Sequence, residues 1–180
     1  MNPIVELLPN RLTWWRIADR AWTDPLNPGF AQAHGGRWNP PGSYPALYLN
    51  EDRTTARLNL RQFIVQWPYE PEDLRSDNGP MLIGAILPRN QRVCDAHTPE
   101  GIRSLGLPRT YPYNADGNRI PHEACQQAGE RIKRQELRGV RARSAQSRDG
   151  TGRELAWFPA NSRSRAKQTH TLLFDEWYWN

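Results

Sequence analysis

One stretch limits the chain's options more than any other: Gly35 to Leu49, GGRWNPPGSYPALYL. Its three glycines and three prolines exclude a continuous helix and demand a turn. Ala46 to Leu49 then reads as a short strand, with Leu47 and Leu49 on one face and Tyr48 on the other. A turn needs only Gly, Pro, Asn or Asp, so Arg37 and Trp38 beside each other are more than the turn requires. Two readings stand. In one, Gly36 gives backbone access to an anion or nucleotide, Arg37 grips phosphate through its planar fork, and Trp38 and Asn39 complete the contact. In the other, Arg37 pairs with a surface carboxylate and Trp38 plugs the core.

The other residues place this turn in a globular protein. With 180 residues, the chain is long enough for one domain with a buried core. Its 13 glycines and 16 prolines give loops a large share, while eight tryptophans argue against disorder. A net charge of +5 and a pI near 9.6 favour an anionic partner. Cys94 and Cys125 form no CxxC, so neither a disulfide framework nor a metal site is expected. The opening MNPIVELLPNRLTWW lacks the basic start and apolar run of a signal peptide, and no run of about 18 apolar residues occurs. The expected address is the cytoplasm, without a membrane span.

Periodicity supplies the remaining elements. Leu12–Ala18 reads as a strand, Asp24–Ser43 as a loop, and Met81–Leu87 (MLIGAIL) as a buried strand. Asn50-Glu51-Asp52 is a helix start, and Ala56, Leu60, Phe63, Ile64 and Trp67 recur at helical spacing up to Pro68. Asn59 falls at the margin of that apolar stripe. Residues 89–119 read as loop, His122–Leu137 as a helix, and Val140–Ser144 as a strand whose Val140, Ala142 and Ser144 share a face. Leu155–Phe158 and Thr171–Phe174 read as closing strands. The class is α+β: one domain over 1–180, with an N-terminal arm over 1–11 and an aromatic tail over 175–180 that closes a sheet or a dimer contact.

Outside the turn, single residues carry less. Tyr48 either lines a cleft or is half-buried with its hydroxyl satisfied. Ser144 ends a strand, where serine commonly forms a turn. His34 borders the turn. The arginine-rich stretch Arg131–Arg148 invites a nucleic-acid reading, yet no helix-turn-helix, RNP or zinc-finger spacing accompanies it, and direct nucleic-acid binding is not expected. Nucleophile-elbow, P-loop, HExxH and dinucleotide fingerprints are all absent.

Together these pieces resemble the RES domain family. Trp15-Arg16-Ile17 resembles its opening strand, GGRWNPPG with LYL its central signature, and Gly139–Ser144 (GVRARS) its later serine segment. The resemblance implies a compact fold similar to ADP-ribosyltransferase toxins, with a mixed or antiparallel sheet and flanking helices. It implies a toxin that breaks the nicotinamide–ribose bond of NAD+ by hydrolysis or phosphorolysis, with NAD+ as substrate and phosphate as the co-substrate of the second route. No cofactor is implied. Partners are an Xre-type antitoxin that blocks the cleft and, as a homodimer, a second copy. By position, Arg37, Tyr48 and Ser144 become site residues, Arg16 a second positive contact, and Gly36, Trp38 and Asn39 part of the NAD+ surface. The family glutamate belongs three residues after Ala56, where this chain has Asn59. That leaves three alternatives: weakened or lost catalysis, substitution by Glu51 or Asp52, or a register displaced by one turn. An inactive module that binds NAD+, ADP-ribose or a partner protein is the second functional reading, and nucleic-acid binding the third.

Overall fold

Strand alternation decides which side chains meet. In the computed structural model, which describes residues 2–68, 70–147, 149–161 and 163–180, Leu47 and Leu49 of β3 (Leu47–Asn50) are buried on one face while Tyr48 is half-buried on the other. β3 pairs antiparallel with β7 (Arg153–Trp157), setting Tyr48 opposite Ala156 and Asn50 opposite Glu154. Leu155 and Trp157 thus join Leu47, Leu49 and Trp14 in one cluster, and Ala156 and Tyr48 join another.

These two strands lie at the centre of an eight-stranded sheet, ordered β1-β5-β6-β7-β3-β2-β4-β8. The others are β1 (Val5–Leu7), β2 (Trp14–Ala18), β4 (Met81–Ile86), β5 (Arg92–Ala96), β6 (Gly139–Arg143) and β8 (Lys167–Leu172). Every pairing is antiparallel except β5 with β6. β2 and β3 meet at one residue pair, Trp15 with Asn50.

Two helices cover the face that carries Tyr48 and Asn50. α2 (Arg53–Ile64) starts at Asp52, whose carboxylate accepts the Thr55 amide at 2.7 Å. It buries Ala56, Leu60 and Ile64, at four-residue spacing, against Trp15, Leu82, Phe174 and Trp177. α4 (His122–Arg134) buries Cys125, Ala128 and Ile132 against Val140, Ala142 and Ala156.

The α+β class and the central strands stand, with several local corrections. Within the expected 24–43 loop lies α1 (Gly29–His34), opened by Asn27, whose side-chain oxygen accepts the Gly29 amide at 2.8 Å. Residues 89–119 hold β5 and α3 (Pro99–Ser104), the latter capped by Thr98 with proline in its first turn. The N-terminal arm is tied down, because β1 pairs with β5. α2 stops at Ile64 and α4 at Arg134, short of Trp67 and Leu137. After α4 the chain reverses through Glu136, at φ 59°.

The closing strand is β8, ending at Leu172, and Phe174 opens α5 (Phe174–Trp177) instead. The tail is therefore core, not a strand. Phe174 and Trp177 are buried, the Trp177 indole donates to the Pro80 carbonyl at 3.2 Å, and Arg57 of α2 donates to the Trp177 carbonyl at 3.0 Å. Trp177→Ala is expected to cost about 3–5 kcal/mol, as for large aromatic truncations in cores. The check is a lower urea midpoint with an unchanged slope.

Candidate functional site

The GGRWN turn is held at almost every polar atom. Gly35 adopts φ 76° and Gly36 donates to the Asn39 carbonyl at 2.9 Å. Gln126 of α4 donates to the Gly36 carbonyl at 2.8 Å. The Tyr44 hydroxyl donates to the Trp38 carbonyl at 2.7 Å. The Tyr48 hydroxyl accepts the Trp38 amide at 2.8 Å and donates to Asn39 Oδ1 at 2.7 Å, while Asn39 Nδ2 donates to the Ala31 carbonyl at 2.6 Å. Glycine is required at 36, because a Cβ there would collide with the Tyr48 ring and hydroxyl.

The core-plug reading of this turn holds for Trp38, and the surface-pair reading does not hold for Arg37. Trp38 is 3% exposed and plugs the core beside Tyr111. Arg37 has no carboxylate within ion-pair distance among the described residues; its guanidinium donates to the Ile120 carbonyl at 3.3 Å. Burial raises Tyr48 and Cys125 above their ordinary pKa, and Arg37 opposes both shifts. Burial lowers His122, and Arg37 lowers it further. One fixed cation thus acts on a phenol, a thiol and an imidazole.

Asn59 carries the second half of the site. Its Nδ2 donates to Asn50 Oδ1 at 2.6 Å and to Glu154 Oε1 at 2.9 Å. The Ser144 hydroxyl, buried at the end of β6, donates to Asn59 Oδ1 at 3.4 Å and accepts the Gln146 amide at 3.2 Å. Asn50 Nδ2 in turn donates to the Trp15 carbonyl at 3.1 Å. A carboxylate only accepts, so Glu154 fixes the orientation of the Asn59 amide. Both Asn59 protons are occupied, leaving only its carbonyl for a ligand.

The structure thus unites Gly36, Arg37, Trp38, Asn39 and Tyr48 in one network and Asn59 and Ser144 in another, both on the helix-covered face. Tyr111 packs beside Trp38, and burial raises its pKa well above the ordinary value. Arg16 does not join by direct contact. It alternates with Trp15 and Ile17, which face the α2 side, and its guanidinium lies 5.4 Å from the Trp22 ring, lining a concavity of about 400 Å³ with Asp24 and Phe30. Burial lowers its pKa to about 10, partly offset by Asp24. His34 stacks on Phe30 at 4.4 Å, and its Nδ1 lies 3.1 Å from the Phe30 carbonyl. A cavity of about 640 Å³ between α1 and the Pro159–Gln168 segment includes none of Arg37, Tyr48, Asn59 or Ser144.

Neither carboxylate expected to replace the family glutamate is free. Glu51 takes Arg141 Nη2 at 2.6 Å and Arg141 Nε at 2.7 Å. Asp52 is spent on the Thr55 cap. Sequence reading missed Asn50 and Glu154, which become visible only through the β3–β7 register. Glu6, Asp95 and His97 form a trio with ligand atoms within 4.8 Å of one another. Its groups already serve each other: His97 lies 3.1 Å from Glu6, Arg141 3.0 Å from Glu6, and Asp95 caps the turn into α3.

The RES domain family matches residues 13–175. The chain belongs to that family. No curated protein sequence matches the chain. Among solved structures, this RES domain resembles a chain of the M. tuberculosis MbcT–MbcA toxin–antitoxin complex, with a TM-score of 0.72 and 20% identity over 93% of this chain and 89% of that one. At that identity the likeness speaks for the fold. No helix among the described residues is long and apolar enough to cross a membrane.

Two outcomes test this geometry. Tyr48→Phe leaves the Trp38 amide without an acceptor, and is expected to cost about 1–3 kcal/mol in thermal unfolding. His122 should titrate below about 6.5 by NMR, and Arg37→Ala should move its midpoint upward.

Proposed function

We propose that this RES domain is a toxin that cleaves the nicotinamide–ribose bond of NAD+, by hydrolysis or with phosphate as acceptor, and that an Xre-type antitoxin protein neutralises it. The observation that carries this reading is Arg37: a half-buried arginine with no carboxylate within ion-pair distance among the described residues. An anionic ligand is its natural complement, and a pyrophosphate suits the planar fork. Family membership and a neighbour taken from a toxin–antitoxin complex support the same reading.

Roles follow from which atoms remain free. Tyr48 spends its hydroxyl on the turn, so it offers the nicotinamide riboside a ring face and keeps Arg37 in place. We assign the ribose hydroxyls to the Asn59 carbonyl, which the buried Ser144 hydroxyl holds in place. The bond to nicotinamide breaks with its electron pair leaving on the ring nitrogen, and positive charge spreads over the ribose. Water or phosphate then bonds to the same carbon; the water route gives ADP-ribose, nicotinamide and a proton.

Asn59 favours a second reading, a module that binds NAD+ without cleaving it, because the family position for a negative charge holds a neutral amide. Nucleic-acid binding draws less support. Arg141 pairs with Glu6 and Glu51, Arg143 donates to the His97 carbonyl and Arg131 to the Leu105 carbonyl, so these arginines are structural. Arg148 lies outside the described residues.

Incubating the pure protein with NAD+, with and without phosphate, is expected to release nicotinamide. Arg37→Ala should raise KM by about tenfold or more, roughly 1.4 kcal/mol. Binding by calorimetry without nicotinamide release would establish the non-catalytic module instead.

A further inference from the structure

We infer that Glu154 supplies the negative charge that the family glutamate supplies elsewhere, so that the catalytic carboxylate of this chain sits on strand β7 and not on helix α2. The inference rests on the NAD+-cleaving reading above and names a residue of that same site. Its ground is geometry. Glu154 Oε1 lies 2.9 Å from Asn59 Nδ2, the position at which the family carries its carboxylate. The two side chains reach the same space from opposite directions, one from the helix above and one from the sheet below.

The surroundings of Glu154 single it out. It is half-buried, and no Lys, Arg or His nitrogen among the described residues lies within 4 Å of its carboxylate. Its neighbours along the strands differ: Glu6 and Glu51 both hold Arg141. A partly desolvated carboxylate without a cation is costly unless something positive arrives. An oxocarbenium-like ribose is such a charge, present only while the glycosidic bond is breaking, which is when stabilisation accelerates a reaction. Asn59 Nδ2 holds one oxygen, Oε1, and so leaves the other without a hydrogen bond to that amide.

Asn59 then has a reason to be neutral. A glutamate at 59 would face Glu154 at hydrogen-bond distance, and two carboxylates that close do not both ionise. An amide with its protons turned to Asn50 and Glu154 removes the repulsion and fixes the remaining charge.

The step balances without any further group. The C1′–N bond breaks with its electron pair going to nicotinamide, and a bond forms from C1′ to a water or phosphate oxygen. In the water route the proton passes through the Glu154 carboxylate to solvent.

The test measures nicotinamide release and NAD+ binding by four proteins: the native chain, Glu154→Gln, Asn59→Glu, and the exchange Asn59→Glu/Glu154→Gln. Glu154→Gln keeps the acceptor oxygen for Asn59, so the fold is retained, as a melting curve will show. Expected are a fall in kcat of about 10²–10³ for Glu154→Gln with KM little changed, no gain for Asn59→Glu alone, and recovery to within about tenfold of native in the exchange. Native-like kcat in Glu154→Gln, or a loss confined to KM, overturns the assignment while leaving the NAD+ reading intact. A large gain from Asn59→Glu alone also overturns it, by showing that the helix position lacked a charge. No release by the native chain overturns the NAD+ reading, and this inference falls with it.

Discussion

Tyr48 and Asn50 leave β3 on the same face, two residues apart, and each holds a different half of the site. Tyr48 closes on the GGRWN turn through Trp38 and Asn39, and Asn50 closes on α2 through Asn59. Alternation makes this placement compulsory: with Leu47 and Leu49 committed to the opposite core, the intervening positions must face the helices. A slip of one residue would bury Tyr48 and Asn50 among leucines and expose the leucines to the site. The hydrophobic cost of that slip is what fixes the polar geometry. The turn that carries Arg37 is therefore positioned by apolar packing on the far side of the sheet, through the Tyr48 hydroxyl bonded to Trp38 and Asn39.

Charge in this protein is distributed by whether a partner is present. Arg141 sits between Glu6 and Glu51, with its pKa kept high against burial by those two carboxylates. Asp95 is drawn up by burial but held lower by the Thr98 hydroxyl and the Thr98 and His97 amides. These groups tie β1, β5, β6 and the entry to α2 together, and their charges are cancelled locally. Among the described residues, neither Arg37 nor Glu154 has an opposite charge within ion-pair distance, although both are partly removed from water. Structural ion pairs quench their fields; a group that must act on a passing ligand cannot. One uncancelled cation and one uncancelled anion on the same covered face suit a substrate that carries phosphates at one end and develops positive charge at the other.

The sequence showed the parts whose signal is local. LYL announced a strand with a split personality, Asp52 a helix start, and GGRWN a turn with excess chemistry, and all three appear where they were read. The misses are equally physical. α1 follows Asn-Pro-Gly, a breaker pattern in sequence, and forms because Asn27 turns back to cap Gly29. β5 is five residues long and contains Asp95, a poor strand former whose carboxylate holds the turn into the next helix. Thr171–Phe174 reads as a closing strand, yet a one-turn helix from Phe174 buries Phe174 and Trp177 better than a two-residue period would. Glu154 was out of reach altogether. In RELAW it is one polar residue of an alternating strand, and its meeting with Asn59, 95 positions away, exists only through strand register and helix docking.

That last contact bears on how a missing motif residue should be read. A transition state senses the position and environment of a charge; it does not sense which element of the chain delivers it. α2 and β7 converge on one small volume, so either can bring a carboxylate there, provided the other brings a neutral partner. Asn59 read alone marks a lost catalyst. Asn59 read with Glu154, Asn50 and Ser144 marks a site whose amide is held on both sides and whose carboxylate has no cation within ion-pair distance among the described residues. A decayed site has no need to keep a half-buried anion without a cation, since replacing it with a neutral side chain would remove a desolvation cost. A half-buried carboxylate with an amide turned to hold it is what the proposed action on a cationic ligand requires.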